Sequence, residues 1–175
     1  MSILKVARMG HPVLRQRGRP LDHSDLRSPR VQKLIDDMIE TMREYNGVGL
    51  AAPQVHESLR LFVALLAEEP DDRTAAAVIV NPEIVSNTHS REEGWEGCLS
   101  IPDVRGLVPR VTDITVKGLD REGRAIELRL RDFPARVAQH ETDHLDGVLF
   151  LDRMVSMQSL TYLEEYSRYH SDDND

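Results

Sequence analysis

The sequence predicts an α+β domain of mostly antiparallel sheet. It has an N-terminal helix, a C-terminal helix and a central helix carrying His140-Glu141-Thr142-Asp143-His144. Three observations lead there. β-compatible runs fill the middle of the chain, helical patterns sit toward its two ends, and the two do not alternate as βαβ units would require.

Each element carries its own signals. Ser28-Pro29 reads as an N-cap followed by a first-turn proline. Val31, Leu34, Ile35, Met38 and Met42 then recur at helical spacing as a core-facing stripe, and Gly47 is placed to stop that helix. Residues 59–67 and Val78-Ile79-Val80 are apolar and β-compatible, the second run ending at Asn81-Pro82. Pro70-Asp71-Asp72-Arg73 reads as an exposed loop rather than a domain boundary. Ile114 to Leu119 and Ala125 to Leu130 flank Asp120-Arg121-Glu122-Gly123, the pattern of a hairpin. Asp132 is placed to cap a helix running from about Phe133 through His144, with Gly147 to end it, and a last helix is expected over Met157 to Tyr169. The 175 residues fit a single catalytic domain, 1–175, whose acidic tail is expected to be mobile from about residue 170.

Composition excludes several classes of function. Hydrophobic residues are 40% and charged residues 30%, as in an ordinary soluble protein, and no apolar run approaches a membrane span. The first residues lack a secretory or organellar leader, so the chain is expected in the cytoplasm, or in an organelle if a leader has been removed. One cysteine rules out an internal disulfide and suits a reducing compartment. A net charge of −8 argues against DNA or other nucleic acid as the main partner.

The chemistry starts at His140 and His144. Two histidines four apart share one helix face and can reach one metal ion. Glu141 follows the first by about 100° around the helix, where it can act on a water as general base without being a ligand. A third ligand must come from elsewhere. Phe150 stands where a metzincin would have its third histidine, and phenylalanine cannot ligate. Glu164, about twenty residues after His144, would complete a thermolysin-like metallopeptidase and remains an alternative. Cys98 is the leading candidate, because its thiolate would give a His₂Cys site with an open position. It lies in Glu96-Gly97-Cys98-Leu99-Ser100-Ile101-Pro102. Earlier lies Gly47-Val48-Gly49-Leu50-Ala51-Ala52-Pro53-Gln54, a run of small side chains suited to lining a cleft. Its terminal amide can donate to a developing oxyanion.

These three segments, with Gln139-His140-Glu141-Thr142-Asp143-His144-Leu145 as the third, resemble the peptide deformylase family in content and order, and the resemblance extends from about Val6 to Met154. It implies hydrolytic removal of the formyl group from nascent peptides that begin with formyl-methionine. Cys98, His140 and His144 would hold one divalent metal, Fe²⁺ in the cell, with Zn²⁺, Ni²⁺ or Co²⁺ able to occupy the site in a purified sample. Glu141 would be the base, with Gln54 and the Leu99 backbone N–H as oxyanion donors. Val48, Gly49, Phe133 and Val137 would surround the methionine side chain, Arg105 would contact the peptide beyond it, and Glu96 would form a buried pair with Arg110. A monomer is expected, and although the resemblance implies docking near the ribosomal exit through a basic C-terminal extension, only weak ribosome contact that does not depend on the tail is expected here. From Gln158 onward five acids face one arginine, Arg168, and an acidic tail is a poor ligand for rRNA. An inactive module that grips N-termini is the other competing class, but it would have no need of Glu141, Gln54 and Cys98 together.

Overall fold

The structure is a computed structural model that describes residues 2–66 and 76–171. The expected loop at 70–73, the end of the expected 59–67 strand and the tail beyond 171 lie outside the described residues. Helices α1 (His23–Arg27) and α2 (Pro29–Glu44) come first, then strands β1 (Gly49–Ala51), β2 (Leu61–Ala64) and β3 (Ala77–Ser86). Strands β4 (Arg91–Cys98), β5 (Ile101–Val111), β6 (Asp113–Leu119) and β7 (Ala125–Arg131) lead to helix α3 (Asp132–Leu145). Helix α4 (Phe150–Arg153), strand β8 (Thr161–Tyr162) and helix α5 (Leu163–Tyr169) complete the chain.

Ser28 caps α2 by accepting from the Val31 N–H at 3.3 Å, with Pro29 in the first turn as expected. The helix ends three residues before Gly47. Asn46 adopts the left-handed conformation (φ 53°), and the N–H groups of Gly47 and Asn46 return to Met42 and Arg43 carbonyls at 2.8 and 3.0 Å. Helix α3 ends the same way, this time on glycine: Gly147 has φ 74°, and Val148 N–H reaches the Asp143 carbonyl at 2.9 Å. The flanking residue at the start of α3 is Arg131 rather than Asp132, which itself takes a left-handed φ of 48°.

Two antiparallel sheets result, β1-β2-β3-β6-β7 and β4-β5-β8. Strand β2 shows the period-2 rule at work. Leu61 and Val63 face a core built with Val31, Ile35, Met38 and Met42 of α2, whereas Phe62 and Ala64 face a second core with Ala135, Val137, Ala138 and Leu145 of α3. Helix α3 therefore lies on the opposite face from α2, in contact with the large sheet and also with β5 of the small one. A third core joins Cys98, Ile101 and Val108 to Leu14, Leu149 and Phe150.

Besides the start of α3, the structure departs from sequence expectation in three further places. Strand β3 continues through Asn81-Pro82 instead of stopping there. Its pairing with β6 slips between Val80 and Glu83, and the slip accommodates a residue without an N–H. The expected last helix is broken into a 3₁₀ turn at Met157–Ser159, strand β8 and α5, because Thr161 and Tyr162 pair with Arg105 and Val104. Strands β4 and β5 carry no alternating pattern that marks them: β4 begins Arg91-Glu92-Glu93-Gly94, and β5 contains two prolines.

Candidate metal centre and catalytic site

Strands β1 and β4 are each an edge strand of their sheet, and both line a cleft of about 640 Å³ that α3 floors. The cleft collects most of the residues singled out from the sequence. Val48, Gly49 and Gln54 come from one side, Glu96, Cys98, Leu99 and Arg105 from the other, and Phe133, Val137, His140 and Glu141 from α3. Val48 and Phe133 are exposed at its rim, while Val137 is buried. Glu164 does not belong to it. Its side chain is 79% exposed on α5 and pairs with Arg168, so the thermolysin-like ligand set is not formed.

Cys98, His140 and His144 place ligand atoms within 4.8 Å of one another, the one such group of three among the described residues. Cys98 Sγ lies 3.3 Å from His144 Nε2. His140 Nδ1 donates to Glu96 Oε2 at 2.9 Å, which leaves Nε2 as the nitrogen available to the cluster. One soft thiolate and two imidazoles suit a divalent transition metal and leave a coordination position open, as catalytic sites require.

The charges around this cluster are strongly displaced. Burial pushes the Cys98 thiol up, but His144 and His140 overcome it and bring it well below the ordinary thiol range. Burial likewise disfavours a charged His140, yet Cys98 and Glu96 raise it well above the usual imidazole value. The shared cause is one thiolate beside imidazole donors. Glu96 is held at about 2: burial pushes it up, and hydrogen bonds and charge from His140 and Arg110 more than offset that. Burial pushes Glu141 the other way, to about 7, despite the opposing effect of the two histidines. One of its oxygens, Oε2, is buried with no hydrogen-bond partner among the described residues. The other lies where a Cβ on residue 49 would fall, 2.3 Å from it, so glycine at 49 lets the carboxylate rest against β1. Gln54 Oε1 accepts from the Ala51 N–H at 2.8 Å, which turns Nε2 toward Cys98 Sγ (3.5 Å) and Ser100 Oγ (3.2 Å).

The expected Glu96–Arg110 pair is present, at 2.9 Å and buried on both sides. It belongs to a larger network that sequence reasoning missed. Arg110 also donates to Asp143 Oδ2 at 2.6 Å, Arg153 donates to Asp143 Oδ1 at 2.7 Å, and Arg136 donates to Glu96 Oε1 at 3.0 Å. Asp143 stood inside the histidine motif and Arg136 one helical turn ahead of it. Those two positions were the only signal available.

Known proteins are similar to this chain over most of its length. The polypeptide deformylase family model matches residues 3–159. "Peptide deformylase 2" of Nostoc sp. is 44% identical over 171 residues, covering 94% of this chain and 93% of its own. Two structures of the class I type b peptide deformylase of Acinetobacter baumannii superpose closely. The K3U-bound form has a TM-score of 0.82 at 42% identity, over 88% of this chain and 100% of that one. The Met-Ala-Ser-bound form has a TM-score of 0.80 at 42% identity with the same coverage. Family match, relatives and a Cys/His/His centre at the base of one cleft agree, and the chain belongs to the peptide deformylases, metal-dependent amidohydrolases.

Proposed function

We propose that this chain removes the formyl group from peptides that begin with formyl-methionine, releasing formate and a free α-amine, with Glu141 as the proton carrier. The observation that carries this reading is the Glu141 carboxylate. It is buried beside the ligand cluster, pushed up to about 7, and has one oxygen without a partner among the described residues. A group poised near neutral pH takes and returns a proton most effectively.

Cys98, His140 and His144 would hold the ion. When bound, the ion supplies a Lewis acid and lowers the pKa of water. Glu141 takes a proton from the attacking water, whose oxygen forms a new bond to the formyl carbon. The carbonyl electrons move onto oxygen, which faces the Gln54 amide and the Leu99 N–H. As those electrons return, the C–N bond breaks, Glu141 delivers its proton to the departing nitrogen, and the water oxygen leaves in formate. Gln54 supports this role by its fixed orientation. Its long contact to Cys98 Sγ is one an oxyanion can replace at little cost.

Strands β1 and β4 each lie at the edge of their sheet on opposite sides of the cleft, the geometry for an extended peptide added as a strand. Val48, Gly49, Phe133 and Val137 would take the methionine side chain, and Arg105 would meet the chain beyond it. The A. baumannii structure with Met-Ala-Ser bound supports a peptide ligand for this chain. A thiolate-containing site accepts Fe²⁺, our choice for the cell, and also Zn²⁺, Ni²⁺ or Co²⁺. A reduced cysteine ligand fits a reducing compartment, the cytoplasm. We propose a monomer whose ribosome contact does not depend on the acidic C-terminal segment.

Formate release from formyl-Met-Ala-Ser tests the assignment directly. Cys98→Ala is expected to abolish it and Glu164→Ala to leave it near the parent rate. The opposite pattern would return the third-ligand role to Glu164.

A further inference from the structure

We infer that Arg136 is a positioning residue that latches the histidine-bearing helix to the cysteine-bearing strand. The inference rests on the metal-site reading above and goes beyond it, because Arg136 is neither a ligand nor a proton carrier there.

Arg136 precedes His140 by one turn and shares its face of α3. Its side chain is 13% exposed, and its two terminal nitrogens face four acceptors on the small sheet. Nη1 donates to the Val108 carbonyl at 2.7 Å, to Glu96 Oε1 at 3.0 Å and to the Gly94 carbonyl at 3.3 Å. Nη2 donates to the Glu92 carbonyl at 2.8 Å. Three backbone carbonyls on two strands and one carboxylate are thereby held by a single planar fork. A lysine ammonium, compact and lacking that plane, cannot span them all. Gln139 ties α3 to Val111 of β5 through a pair of bonds at 2.8 and 3.2 Å, but it does not reach the β4 backbone. Arg136 does.

The strand is shaped to receive it. A Cβ on Gly94 would stand 2.7 Å from Nη2 and 2.8 Å from Cζ of Arg136, so the guanidinium fills the space that any other residue at 94 would occupy. Gly94 precedes Cys98 by four residues along β4, and Arg136 precedes His140 by four along α3. Through Glu96, two residues before Cys98, the latch reaches the ligand-bearing end of β4 and sets how far the thiolate stands from the imidazoles. It also reaches the histidine by a second route. Glu96 accepts from Arg136 on Oε1 and from His140 Nδ1 on Oε2, so the fork steadies the carboxylate that orients the ring.

The experiment uses the full chain loaded with Co²⁺. It reads the thiolate-to-cobalt absorption and the rate at which a chelator strips the ion, with formate release as a parallel measurement. R136M and G94A are each expected to speed metal loss by about tenfold and to shift the absorption band, in the range typical of groups that orient ligands. Because Gly94 acts only by admitting the guanidinium, G94A is expected to add little in the R136M background. R136K keeps the charge but not the fork, and it decides the matter if R136M does not fold. Parent-like metal loss in folded R136K, or effects of G94A and R136M that simply add, would overturn the latch. A parent protein that binds no Co²⁺ at all would instead remove the metal-site reading, and the latch with it.

Discussion

Helices α2 and α3 lie against opposite faces of the same five-stranded sheet, and both end in the same left-handed turn, yet they treat buried polar groups in opposite ways. The fully buried polar side chains of α2 are closed off by the N-terminal segment. Asp37 Oδ1 accepts from the Ser2 N–H at 2.8 Å, and Thr41 Oγ1 accepts from the Leu4 N–H at 2.9 Å while donating to the Asp37 carbonyl at 2.6 Å. On α3 the buried Glu141 Oε2 and His144 Nδ1 have no partner among the described residues. (Glu40 Oε2 on α2 is also without one, on a residue that is only half-buried.) A buried, unsatisfied carboxylate costs roughly 1–3 kcal/mol or more. A helix whose fully buried polar residues are matched serves the fold. One that leaves a carboxylate oxygen open beside a ligand cluster gives up stability where substrate and water must enter.

The largest test of that contrast is Glu141→Gln. The amide fills the same space and cannot carry a proton, so formate release is expected to fall at least ~100-fold, the usual range for a lost general base. Metal content and unfolding midpoint should stay at or above the parent's, since the buried acid is gone. A variant that keeps near-parent turnover would take the proton-carrying role from Glu141. Gly49→Ala is expected to act through the same group at about tenfold or more, because its Cβ would press within 2.3 Å of Glu141 Oε1. Here kcat should drop while α2-side stability, read by protection of its amides from exchange, is unchanged. Loss confined to KM would mean that Gly49 serves substrate binding alone.

Local signals were legible in the sequence, and assembled ones were not. The α2 cap, the stripe of Ile35, Met38 and Met42, and the histidine pair at i and i+4 are each written within one or two helical turns, where spacing alone determines which residues share a face. Cys98 became a ligand candidate through its motif. Spacing could not have found it, since it reaches the histidines only after a hairpin and a helix have been placed. Strands β4 and β5 were missed because one face meets α3 through Glu96, Arg110 and glycines rather than through aliphatic residues, which erases the alternation that marks a strand. The same network hid Arg136 and Asp143. Their partners lie 28 to 44 residues away for Arg136 and 10 to 33 for Asp143, beyond any local pattern.

The smaller tests fall on α2, where the comparison predicts changes in stability without changes in chemistry. Thr41→Val keeps the shape, leaves the Leu4 N–H without its acceptor and removes the hydroxyl, for a loss of ~1–2 kcal/mol in denaturant unfolding. Formate release per folded molecule should match the parent's, and a catalytic defect would show that the two faces of the sheet are coupled. Asp37 gives the finest distinction. The hydrogen bond from Lys33, helped by the Ser2 N–H, holds its carboxyl below the ordinary aspartate value of 3.8, against the opposing effect of burial. The folded protein thus binds the proton less readily than the unfolded chain. This contribution to stability is complete above the unfolded value, near pH 4, and is lost as pH falls through the lower folded value. Asp37→Asn removes it. The variant should be less stable than the parent at pH 6, and the gap should shrink by pH 3, because only the parent loses this interaction to acid. Unfolding curves at the two pH values measure the gap directly, and a gap that stays constant would mean that Asp37 acts by packing rather than by charge.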